Sequence, residues 1–156
     1  MVSIKWCLNT KNGLEIISPN INTAESYLKM AEESIYSLQT VQSRRWTATM
    51  SYYIFYYSLY SLMSRIGIKC EIHLCSLAFM KNFLTAFYSE DEIKLIEKAF
   101  SARIDLQYYA NRPVDTEIID EIKSSCKDFY IKTKTILSSI TEEQIQKIRG
   151  DLEKCK

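Results

Sequence analysis

One histidine, His73, is the only side chain in the 156 residues whose ordinary pKa lies near neutrality. No serine or cysteine with a paired carboxylate accompanies it to spell out a triad, which sets acyl-transfer chemistry aside. Cys70, His73 and Cys75 form a C-x2-H-x-C cluster of metal-ligand types. A structural zinc site, however, takes four ligands from paired clusters. The other reading makes the two cysteines small buried residues flanking a helix start, so no metal and no cofactor is expected.

Arg103 is more informative. Ile96, Phe100, Arg103 and Gln107 recur at 4, 3, 4 spacing, one step round a helix from the apolar stripe Leu95, Ala99, Ala102, Leu106 and Tyr109. That spacing puts a permanently charged guanidinium at the margin of an apolar face, where a charge calls for a partner. Two partners are open. One is a carboxylate such as Glu25 or Asp105 in a partly buried salt bridge. The other is a phosphate, gripped by the planar fork of donors in a cleft between helices.

The remaining basic groups, Arg44 and Arg45 and the lysines Lys127, Lys132 and Lys134, read as solvated faces because acidic residues interleave with them. Tyr52, Tyr53, Tyr56, Tyr57 and Tyr60 invite a base-stacking role, but they fall on several faces of one helix, and core packing is the preferred reading.

Helices must position these groups. With only 3 Gly and 2 Pro the chain lacks the turn and phosphate-loop glycines of β and Rossmann-type designs. Apolar residues at 47%, charged residues at 25% and 20 Lys+Arg against 19 Asp+Glu describe an ordinary globular chain, not a disordered tail or a basic nucleic-acid arm. The length makes residues 1–156 a single domain. The expected fold is all-α, an antiparallel up-and-down helical bundle of four to five main helices plus a short C-terminal helix.

Start and stop signals divide the chain. A first helix over about 22–42 opens on Asn22 with Glu25 in a capping box. A second, over about 44–65, ends at Gly67. Others follow over about 73–88, 91–111 and 115–140, with Ser89/Glu92 capping the fourth. A mostly charged tail helix over about 141–154, capped by Thr141/Gln144, is expected to fray. Trp46 to Ser64 carries no charge, but its six Ser/Thr and five Tyr suit the centre of a bundle better than a membrane. Cys7, Cys70, Cys75, Cys126 and Cys155 are odd in number, widely spaced and not preceded by an apolar leader. They read as reduced thiols in a cytoplasmic protein.

Four stretches in order, AESYLKMAEESI, SYYIFYYSLYSLMSRIGI, EIHL and AFSARIDLQYYA, resemble the HEPN domain (higher eukaryote and prokaryote nucleotide-binding), particularly its small stand-alone prokaryotic and archaeal members. The resemblance covers about residues 22–140. It implies a bundle that dimerises through its long helices, and a partnership with a small MNT-type nucleotidyltransferase in a toxin–antitoxin-like pair. Catalytic members are metal-independent ribonucleases with an arginine and a histidine separated by four to six residues. Carried over, the arginine is Arg103, while the histidine positions hold Tyr108, Tyr109 and Ala110.

A tyrosine of ordinary pKa is a poor general base at neutral pH, and loss of a base costs about 10²- to 10⁴-fold. His73 could substitute only if the fold brings it to Arg103. The resemblance therefore implies a nucleotide- or RNA-binding module, non-catalytic or weakly active, with Arg103, Asp105 and Tyr109 binding. The alternatives are an active ribonuclease using Arg103 with Tyr108 or His73, and a purely structural scaffold in which Arg103 is only a salt bridge.

Overall fold

The computed structural model describes residues 2–156. Its elements, in chain order, are α1 (Ile4–Asn9), β1 (Glu15–Ile16), α2 (Ile21–Leu38), α3 (Arg44–Ile66), β2 (Ile68–Lys69), α4 (His73–Phe83), α5 (Glu90–Tyr108), α6 (Thr116–Ser139) and α7 (Glu142–Glu153). This is an all-α helical bundle with α3 at its centre, packed against α2, α5 and α6.

The sequence of α3 explains its place. Large residues (Tyr52, Ile54, Phe55, Leu59, Leu62, Met63) are buried around its whole circumference, and small ones (Ala48, Ser51, Ser58, Ser61) let neighbouring helices approach between them. Burying those hydroxyls is tolerable where they are bonded: Ser58 donates to the Ile54 carbonyl at 2.7 Å and Ser61 to Ala24 of α2 at 2.6 Å. No helix of the described residues is long and apolar enough to cross a membrane.

The end of α3 is held from a distance. Gly67 takes φ +86°, a left-handed C-cap that L side chains rarely adopt, and its N–H returns to the Met63 carbonyl. Nη1 of Arg149, on α7, donates to the carbonyls of Ile17, Ile66 and Gly67 at 2.6, 3.0 and 3.1 Å.

Several expectations need correction. The first helix starts at Ile21 and is capped by Asn20, whose side chain accepts from the Thr23 N–H, so Asn22 lies inside it. The helix that opens at His73 stops at Phe83, because Leu84 and Tyr88 turn inward; Tyr88 stacks on Phe129 at 4.8 Å and bonds Thr133 at 2.7 Å. The tail helix does not fray: Ile145, Ile148 and Leu152 are buried, and α7 packs on α3 and α4. The cysteines are not all reduced thiols, since Cys7 and Cys75 form a disulfide that fastens α1 to α4; Cys70, Cys126 and Cys155 are free. The N-terminal segment also pairs β1 with β2, antiparallel, Glu15 opposite Lys69 and Ile16 opposite Ile68.

Candidate functional site around Arg103 and His73

Three helices meet at the site. The middle of α3 supplies Tyr52, Tyr53 and Tyr56, the first residue of α4 is His73, and the C-terminal half of α5 supplies Phe100, Arg103, Gln107 and Tyr108. Residues 100, 103 and 107 share a helix face at i+3 and i+4, which aims all three at α3.

Arg103 is only 7% exposed. Its Nη2 donates to the hydroxyls of Tyr53 and Tyr108, each at 3.1 Å, and its Cζ lies 5.3, 5.1 and 5.5 Å from the ring centres of Tyr52, Tyr53 and Tyr108. The rings' negative faces offset part of the cost of burying the cation. Of the two partners left open for it, the carboxylate is not realised: among the described residues neither Glu25 nor Asp105 pairs with Arg103. Asp105 accepts instead from Arg112 at 3.0 Å. Nε of Arg103 and Oε1 of Gln107 are buried without hydrogen-bond partners, and Nη1 bonds no described residue. The guanidinium therefore has no carboxylate partner among the described residues and keeps unclaimed donors.

His73 enters the same cluster. Its ring lies flat on Tyr56, 4.0 Å between centres and 2° apart, and 6.3 Å from Phe100. Its Nδ1 is 2.6 Å from the Tyr52 hydroxyl. Burial first, and the positive charge of Arg103 second, hold its pKa down to about 4. Burial pushes the Tyr52 and Tyr56 phenols well above their ordinary range, so both stay protonated.

The fold thus brings together Arg103, Tyr108 and His73, and separates them from Asp105 and Tyr109. Those two both engage Arg112, whose Cζ sits 3.6 Å from the Tyr109 ring centre. Cys75 is committed to the disulfide, so the C-x2-H-x-C cluster is not free as a ligand set. Sequence reasoning assigned Tyr52, Tyr53 and Tyr56 to packing and missed the polar roles of Tyr52 and Tyr53. Tyr52 and Tyr56 are indeed buried, but the Tyr52 hydroxyl meets His73 and that of Tyr53, at the rim, meets Arg103. No local signal in the sequence marks these two hydroxyls, because their partners lie 21 and 50 residues away.

Chemically, the cluster offers one cation, several neutral hydroxyls and no carboxylate. Such a set favours an anionic oxygen. No family model, curated protein or solved structure matches this chain.

Proposed function

We propose that this chain is a HEPN-like helical-bundle protein that binds RNA or a nucleotide through phosphate at Arg103, as a non-catalytic or weakly active module. The observation that carries the reading is Arg103 itself, 7% exposed yet partnered, among the described residues, only by the Tyr53 and Tyr108 hydroxyls. A buried cation without a counter-charge is costly, and a bound phosphate would supply the missing charge. Tyr108, 59% exposed beside it, offers a ring face to a base. In the same proposal the chain is a homodimer and the partner of an MNT-type nucleotidyltransferase in a toxin–antitoxin-like pair.

The test is titration of a fluorescently labelled single-stranded oligoribonucleotide at low salt with wild type and Arg103→Ala. Wild-type binding that falls about tenfold or more in the variant is expected, since a charge-assisted hydrogen bond contributes about 1.5–3 kcal/mol. Absence of binding to RNA, ATP and the nucleotidyltransferase would remove the reading.

A second reading, a metal-independent ribonuclease, draws on the shared position of His73 and Arg103 around Tyr52. Incubation with RNA in EDTA decides it. Cleavage lost in both Arg103→Ala and His73→Ala, with the fold intact, would support it. Against it stands the depressed basicity of His73, which leaves a weak proton acceptor at neutral pH.

A further inference from the structure

The Tyr52–His73 contact constrains more than the position of the ring. A neutral imidazole has one N–H and one bare nitrogen, and whichever nitrogen is bonded decides what the other presents. The Tyr52 side chain is fully buried, and its hydroxyl has one partner among the described residues, Nδ1 of His73 at 2.6 Å. Were Nδ1 to carry the proton, the phenolic hydrogen would have no acceptor and would be left unpaired in the core, which costs its full desolvation. The hydroxyl stays protonated, so the favoured arrangement is O–H donating to a bare Nδ1.

We infer that Tyr52 holds His73 as the Nε2–H tautomer, so that the histidine meets a ligand bound at Arg103 as a hydrogen-bond donor to its phosphate oxygens rather than as a proton acceptor.

The geometry supports this at three further points. Parallel stacking on Tyr56 fixes the ring plane, and within that plane the Tyr52 hydroxyl selects the nitrogen that faces it. Nε2 has no partner among the described residues, yet it is not one of the buried unpartnered atoms, so it keeps contact with solvent. His73 and Arg103 share the rings of Tyr52 and Tyr53, whose centres lie 5.6 and 6.3 Å from that of the imidazole and 5.3 and 5.1 Å from the guanidinium carbon. Arg103 and His73 thus gather around the same pair of tyrosines, Tyr53 bonded to the guanidinium and Tyr52 to the imidazole. Tyr52 is a positioning residue that acts through His73.

The inference rests on the Arg103 reading for its ligand but not for its tautomer, which is read on the free protein. Two-bond ¹H–¹⁵N correlations at neutral pH are expected to show a protonated Nε2 and a bare Nδ1 in wild type, and a mixture of tautomers in Tyr52→Phe. A protonated Nδ1 in wild type overturns the inference. Binding of the labelled oligoribonucleotide supplies the second readout. His73→Gln keeps an amide donor near the Nε2 position and is expected to bind within about threefold of wild type, whereas His73→Ala loses about tenfold. Equal loss in both variants overturns the donor role. Absence of wild-type binding to RNA, ATP and the nucleotidyltransferase alike removes the Arg103 reading and the ligand half of this inference, while the correlation spectrum still decides the tautomer.

Discussion

The hydroxyl of Tyr108 meets Nη2 of Arg103 at 3.1 Å from the last residue of the same helix, so the guanidinium is held by a side chain five positions ahead of it as well as by Tyr53 across the helix interface. Because Tyr108 is mostly exposed, Tyr108→Phe is expected to change unfolding stability by only about 0.5 kcal/mol. RNA affinity is expected to fall severalfold as the arginine loses one anchor. Urea unfolding and RNA titration on the same sample check both halves.

His73 gives stability a pH dependence of definite sign. The folded-state pKa is about 4 against an ordinary 6.5, so the unfolded chain binds the proton first as pH falls. The contribution is fully present above the ordinary value and is lost progressively as pH drops toward the folded value. Wild type is expected to lose more stability than His73→Gln between about pH 7 and about pH 4.5, with the carboxylates common to both cancelling in the comparison. Parallel urea midpoints would contradict this.

The Cys7–Cys75 disulfide is countable. Under denaturing, non-reducing conditions, thiol titration of the oxidised protein should find Cys70, Cys126 and Cys155, three groups rather than five. The bond joins residues 68 apart, and its reduction, or a Cys7→Ser/Cys75→Ser double substitution, is expected to cost about 2–4 kcal/mol in urea unfolding.

Arg149→Ala removes one donor from three carbonyls at the end of α3. A loss of about 2–3 kcal/mol is expected, a hydrogen bond to a charged group being worth about 1.5–3 kcal/mol. Gly67→Ala should be at least as damaging: its Cβ would lie 2.2 Å from Arg149 Nη1 and 2.5 Å from the Ile17 carbonyl oxygen, at a φ of +86°. Thermal melts of both variants test this.

What was legible in the sequence was local. Apolar spacing, Gly67 and the capping boxes Ser89/Glu92 and Thr141/Gln144 sit within a turn of what they control, and the helices follow them. The N-terminal segment escaped because its placement depends on partners far along the chain, Cys75 for α1 and Ile68–Lys69 for β1. At the site, the 4, 3, 4 row identified the face of α5 that carries Arg103. Periodicity says nothing of what lies across that face, and Tyr53 is 50 residues upstream. Grouping Asp105 with Arg103 ignored a signal already present, since residues two apart on a helix point to different sides.

The bond between Arg149 and Ile17 spans 132 residues. A nascent chain leaving the ribosome N-terminus first exposes α3 and its glycine stop long before residue 149 is translated. Until then the Ile66 carbonyl lacks its Arg149 donor, while the Gly67 carbonyl can already accept from the Ile17 N–H and that of Ser64 from the Asn20 N–H. The Arg149 bonds are thus among the last contacts of α3 that vectorial synthesis can supply, and a chain stalled short of residue 149 would display the central helix packed but without them.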